Sequence, residues 1–448
     1  MSAPSSKSIS QSIRDVARPL TGNVADYDPI LALVADGPLC LLGEATHGTH
    51  EFYRERAEIT KQLIKEKGFT AVAVEADWPD AFRVNRYVRG LSDDASAKEA
   101  LSGFKRFPTW MWRNTVVVEF VEWLREYNAS LSPNAARVGF YGLDLYSLYA
   151  SIEAVLGYLS KVDPEAAKRA RQRYACFEHY SEDTQAYGYA TSFGITESCE
   201  RAVIDQLLEM RRHAADFASR DGRVARDEYF FAEQNARLIL NAEKYYRTMF
   251  HGRVASWNLR DRHMAETLDS LLSHLSNQGE PAKVAVWEHN SHLGDARATY
   301  MAEHGELNVG QLVRQSYGSD AVLVGFTTYT GTVTAASDWD GPAERKRVRP
   351  ALPGSYEALF HESLGTNFML MLRGNTSAAR AVAGPLLERA IGVVYLPQTE
   401  RQSHYFDAHL AEQFDTVIHL DTTQALEPLE RYSLWETGEP PETFPSGV

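Results

Sequence analysis

Three cysteines, Cys40, Cys176 and Cys199, are all that the 448 residues contain, and none forms a C-x-x-C pair. An odd, widely spaced set argues against a disulfide scaffold and against a thiolate zinc site. Cys40 lies in an apolar stretch and reads as a small core residue. No apolar run reaches the roughly 18 residues that a transmembrane helix needs. Met1 to Arg14 is polar and has no secretory h-region, so the expected compartment is the cytoplasm. The formal net charge is -14 and no Lys/Arg-rich tract occurs, which argues against nucleic acid and against a membrane surface as partners. Familiar catalytic motifs are missing too. There is no G-x-S-x-G nucleophile elbow, no Walker P-loop and no G-x-G-x-x-G. His50-Glu51 begins an H-E-x-x-H, but Arg54 stands where the second histidine belongs. No repeat of fixed period appears.

What is present is a run of buried-strand patterns, each followed by a helical one. Hydrophobic content of 44% and charged content of 24% are ordinary for a globular chain, and the length exceeds a single compact core. Strands are expected over Leu39 to Gly43, Thr70 to Val74, Arg137 to Gly142, Lys283 to Trp287 and Ala321 to Phe326. Ile391 to Leu396 and Thr416 to Leu420 are two further candidates. Glu51 to Lys67 reads as a helix that Gly68 stops, and Pro79 sits where another begins. Continuous apolar strands separated by helices imply an α/β fold: a mostly parallel central sheet flanked by helices. Strand signals nearly vanish between Tyr146 and His274, and Asp227 to Phe250 carries apolar residues at helical spacing. The expected organisation is a discontinuous α/β core, 26–145 and 280–430, with a helical insertion over 146–279. Thr327 to Pro353 is rich in Thr, Gly, Pro and charge and reads as a long loop or a small irregular lobe, and 330–390 is a candidate small α+β lobe.

Four strands finish in ionisable side chains. Glu44 and His47 follow the first, Glu75 and Asp77 the second, Asp144 the third, and Glu288, His289 and His292 the fourth. In an open parallel sheet the carboxyl ends share one edge, where such folds place their chemistry. Glu75 ends an apolar strand, where an unpaired carboxylate is costly, so it either pairs with a base or acts. Asp144 reads as fixing a turn. His50 opens a helix and reads as interacting with its own first turn. Histidine, carboxylates and arginine without an obvious side-chain nucleophile suit general-base hydrolysis, in which a neutral imidazole takes a proton from attacking water. The same residues suit a metal-dependent hydrolase, with His47, Glu75 and His289 as ligands. A non-catalytic binding protein for a polyketide or sugar is the remaining alternative. Trp78, Trp110, Trp112 and Tyr405 are candidates to line an apolar cleft.

Several longer segments carry a resemblance. They are Gly43 to Phe52 (GEATHGTHEF), Val74 to Trp78 (VEADW), Tyr141 to Tyr146 (YGLDLY), Ser256 to Met264 (SWNLRDRHM), His289 to Asp295 (HNSHLGD) and Glu400 to Phe406 (ERQSHYF). Together, and in this order, they resemble the erythromycin esterase family over about residues 30–430. The resemblance implies a macrolide or other lactone/ester as small-molecule substrate, opened by water with a histidine base, and no metal or other cofactor. By motif it implies Glu44 and His47 as acid and base, with Glu75, His289 and Arg56 beside them in catalysis. Arg260, His50, Trp78 and His292 then become substrate-binding candidates. It also implies an α/β core with a helical insertion, and some relatives carry the label succinoglycan biosynthesis protein. Glu288 is a local departure, since relatives usually have a small residue there, and it is expected to face away from the site.

Overall fold

Among the described residues eleven strands follow one another: β1 (Arg18–Pro19), β2 (Leu39–Leu42), β3 (Ala71–Asp77), β4 (Gly139–Asp144), β5 (Val284–Trp287), β6 (Ala321–Ala335), β7 (Glu344–Val348), β8 (Phe368–Met371), β9 (Leu386–Arg389), β10 (Tyr405–Ala408) and β11 (Thr416–Thr423). The computed structural model describes residues 6–431, apart from 181–182, 215, 217–221, 278, 280 and 375, together with 435–436. Nine strands form one sheet in the order β1-β8-β11-β6-β2-β5-β3-β4, with β7 added to β6. From β11 to β4 every neighbouring pair is parallel. β8, β1 and β7 are the antiparallel additions.

The unbroken apolar runs follow from this layering. Side chains alternate across a strand, so a sheet covered on both faces needs apolar residues at every position. Leu39, Leu41, Ala71, Ala73, Val284 and Val286 enter one core, and Cys40, Leu42, Val72, Val74, Ala285 and Trp287 enter the other. The first core is shared with the helices between β4 and β5, among them Leu148–Val162, Gly222–Thr248 and Arg253–Ser276. Trp78 joins that layer to the sheet. Its Nε1 donates to the Phe231 carbonyl at 3.3 Å and its ring stacks on Tyr141 at 6.0 Å. On the other face, helix His50–Lys67 ends at Gly68 with φ 69°, the left-handed cap that glycine adopts without strain.

Three expectations need correction. Thr327 to Pro353 is not a loop: β6 continues through Thr327-Thr328-Tyr329-Thr330 and turns back as β7. The β-branched threonines that looked like loop composition are strand formers. Ile391 to Leu396 is not a strand but an extended segment with isolated bridges at Ile391 and Val394, to Thr46 and Ala336. Cys176 and Cys199 are bonded to each other, leaving Cys40 as the buried free thiol. The helical layer brings their Cα atoms to 6.0 Å, a proximity that spacing in sequence does not encode. Within 330–390, β8 enters the central sheet beside β11, and β9 pairs with β10 in a separate two-stranded piece.

No described helix is long and apolar enough to cross a membrane.

Candidate active site

The carboxyl ends of β2, β3, β4 and β5 open onto one cavity of about 510 Å³. Its floor is ionic, with His47, Glu75, Asp144, Arg260, His289 and His292, and Trp112, Trp257 and Phe406 are among its aromatic walls.

The segment after β2 is held by backbone contacts on three sides. The Gly48 carbonyl accepts from the Thr334 and Leu426 amides at 2.9 and 2.8 Å, and the His50 amide donates to the Gln424 carbonyl at 2.9 Å. Gly48 has no room for a side chain: a Cβ there would lie 1.8 Å from the Thr334 carbonyl oxygen. Gly48→Ala is therefore expected to cost about 1–3 kcal/mol in thermal or urea unfolding, because β6 or the His47 turn must shift.

Within this turn His47 Nδ1 lies 2.9 Å from Glu44 Oε1. The second Glu44 oxygen accepts from Arg56 Nη2 at 2.6 Å. An ionised carboxylate only accepts, so the shared proton sits on Nδ1 and leaves the lone pair on Nε2. Arg56 is fully buried and its guanidinium lies over the Tyr53 and Trp287 rings at 4.3 and 5.2 Å. It balances the Glu44 charge from behind the dyad rather than from the cavity wall.

His289 faces His47, with ring centroids 4.8 Å apart and planes tilted by 49°. His289 Nδ1 accepts the Ser291 amide at 3.2 Å and lies 2.8 Å from the Ser291 hydroxyl, which donates to it in the tautomer with the ring proton on Nε2. Burial, then the neighbouring His47 and His292, hold this imidazole well toward the neutral form. Its Nε2 makes no well-aligned hydrogen bond among the described residues, although the Ala45 carbonyl is close enough to favour a proton on the ring. Asn290 ties this turn to the first one. Its amide donates to the Glu44 carbonyl at 2.8 Å and its side chain to the Phe326 carbonyl at 2.7 Å.

Arg260 is the hub of the floor. Nε and Nη2 clamp Asp144 at 3.0 and 2.7 Å, Nη2 also meets Glu75 Oε1 at 2.7 Å, and Nη1 meets His292 Nε2 at 3.0 Å. Asp144 is thus an ion-pair partner, and its Oδ1 also accepts the Leu145 amide at 2.8 Å, the local role expected of it. The other Glu75 oxygen accepts the His289 amide at 2.9 Å. Burial opposes ionisation of Glu75, but His292, His47 and Arg260 outweigh it and hold the carboxyl well below its ordinary range. His292 donates from Nδ1 to Asp261 at 2.9 Å and stacks on Trp257 at 4.5 Å. Burial disfavours protonation of this ring, Asp261 and Glu75 favour it strongly enough to raise its pKa, and the Arg260 contact needs an unprotonated Nε2.

Glu288 is buried behind this floor, and neither of its oxygens has a hydrogen-bond partner among the described residues. Burial first, then the Glu75 and Asp261 charges, push its pKa well above the ordinary carboxylate value. Between those two values the native protein keeps a proton that the unfolded chain releases, so stability falls as pH rises through the window. Glu288→Gln is expected to flatten that slope. Urea midpoints should match wild type near pH 4 and exceed it at pH 8.

Of the remaining expected site residues, Trp112 and Tyr405 line the cavity, whereas His50, Trp78 and Trp110 do not. Asp261, Asn290, Tyr146, Trp257 and His404 were not singled out by sequence. All five lie inside the segments that carry the resemblance, Asp261 beside Arg260 in Ser256–Met264, which was the available signal. Among the described residues no group of three or more His, Cys, Asp or Glu side chains is arranged to hold a metal ion.

The family model for erythromycin esterase matches residues 64–423. The chain belongs to the erythromycin esterase family. The match begins after the Gly43–Phe52 segment, so membership does not rest on the His47 turn. The family and its relatives point to a hydrolase. The erythromycin esterase type II of Escherichia coli is 23% identical over 323 residues, 70% of this chain and 74% of that one. A Bacillus cereus protein of known crystal structure superposes with a TM-score of 0.79 at 21% identity, covering 96% of this chain and 100% of that one. An erythromycin esterase mutant in its open conformation gives 0.65 at 16% identity, covering 93% and 99%. At these identities the structural likeness speaks for the shared fold.

Proposed function

We propose that this protein hydrolyses a lactone or ester by direct attack of water, with His47 as the general base. The observation that carries the reading is the facing pair of histidines: Nε2 of one has a free lone pair, and Nε2 of the other carries a proton without a well-aligned acceptor. In the first step His47 Nε2 removes a proton as the water oxygen bonds to the carbonyl carbon, and the π electrons move onto the carbonyl oxygen. The His289 Nε2–H donates to that oxyanion as a neutral, pre-aimed hydrogen bond. Glu44 holds the His47 tautomer and stabilises the imidazolium, while Arg56 offsets the Glu44 charge. The tetrahedral intermediate then collapses, the C–O bond breaks, and the departing alkoxide takes the proton from His47. The products are an acid and an alcohol, and the base is restored.

The family relationship and the aromatic cavity walls favour a macrocyclic lactone as substrate, and erythromycin is the first to try. Mass spectrometry of erythromycin incubated with the protein should show a gain of one water. An unchanged mass across a panel of macrocyclic lactones and simple esters would sink the proposal.

A further inference from the structure

Trp339 is 62% exposed, yet it lines the cavity. It sits at the tip of the β6–β7 hairpin, and that tip is braced. The Ser337 amide donates to Glu344 at 3.1 Å, Lys346 donates to the Ser337 hydroxyl at 2.6 Å, and the Gly341 amide closes a turn on the Asp338 carbonyl at 3.1 Å. Ala336 pairs through its backbone with Val393 and Tyr395, so the hairpin is fixed to the segment carrying another part of the cavity wall. The Trp339 ring meets Phe107 at 5.1 Å and 60°, and Phe107 meets Trp110 edge-on at 5.4 Å. Phe107 also lines the cavity. A large aromatic left in water contributes little to folding, and an exposed apolar patch beside a cavity marks a binding surface.

We propose that Trp339 and Phe107 form an aromatic clamp at the cavity mouth that grips the apolar body of a bulky ester, making Trp339 a specificity-determining residue. The proposal rests on the hydrolase reading above. His47 and the clamp line the same cavity, so a ligand large enough to fill it meets both, whereas a small ester at His47 need not meet the clamp.

Kinetics of Trp339→Ala on erythromycin and on 4-nitrophenyl acetate test this. The expected result is a KM for erythromycin raised about three- to tenfold, the usual worth of one aromatic contact, with kcat within twofold. Turnover of the acetate should not change, and Trp339→Phe should recover most of the loss. Equal losses on both substrates, or no change on erythromycin, would overturn the clamp. Calorimetric titration with erythromycin separates the clamp from the chemistry. If wild type turns over neither ester, the hydrolase reading falls, and weaker erythromycin binding by Trp339→Ala than by wild type still supports the clamp. Equal binding, or no binding by either protein, overturns it.

Discussion

His47→Ala is expected to lower the rate of lactone hydrolysis by about 10²–10⁴-fold, the usual cost of removing a general base. The loss should fall on kcat, with KM within a few-fold of wild type, because the ring acts on water rather than on the body of the substrate. His47 is only slightly exposed and its Nδ1 is held by Glu44, so the substitution also leaves one buried carboxylate oxygen without its partner. Arg56 still pairs with that carboxylate, which keeps Glu44 charge-balanced and the fold intact. Circular dichroism and thermal unfolding of the variant separate a chemical loss from a folding loss. Full activity in a correctly folded His47→Ala would remove His47 from the mechanism.

Arg260→Met is expected to destabilise the protein by about 3–5 kcal/mol, the penalty for stranding buried charge when one partner of an ion pair is removed. The side chains of Glu75 and Asp144 are each only 4% exposed, and both depend on this guanidinium. Both carboxyls are held below their ordinary range in the native protein, with His292, His47 and Arg260 responsible at Glu75 and Arg260 at Asp144. A depressed carboxyl adds stability above its unfolded-state pKa, and that stability is lost as pH falls toward the folded value. Wild type should therefore lose stability on acidification below about pH 4, and Arg260→Met should lose less of it because the pairing is already gone. Urea unfolding at pH 7 and pH 3.5 measures both effects. A variant within 1 kcal/mol of wild type at pH 7 would show that Glu75 and Asp144 have other support.

The strand ends were the most legible part of the site. Glu44, His47, Glu75, Asp144, His289 and His292 each end or follow a run that read as a buried strand, and parallel strands put their carboxyl ends on one edge. Their roles were less legible. Asp144 had the local pattern of a turn residue, and only a helix more than a hundred residues later explains its charge. Arg56 was expected beside the acid and base, but sequence could not say that the turn of its helix buries it behind Glu44. Trp339 lay in a stretch whose threonines suggested loop, so nothing marked it as part of a cavity mouth.

By itself the sequence determined the alternating burial that makes a two-sided sheet, the Gly68 helix stop and the clustering of ionisable groups after strands. Those follow from interactions within a few residues, which composition and period express directly. Tertiary structure decided that Arg260 meets Asp144 and Glu75 across 116 and 185 positions, that His47 faces His289, and that the β6–β7 hairpin carries Trp339 to the mouth. These meetings depend on strand order and on the rotation of each helix about its axis, and both are set by packing the whole chain at once.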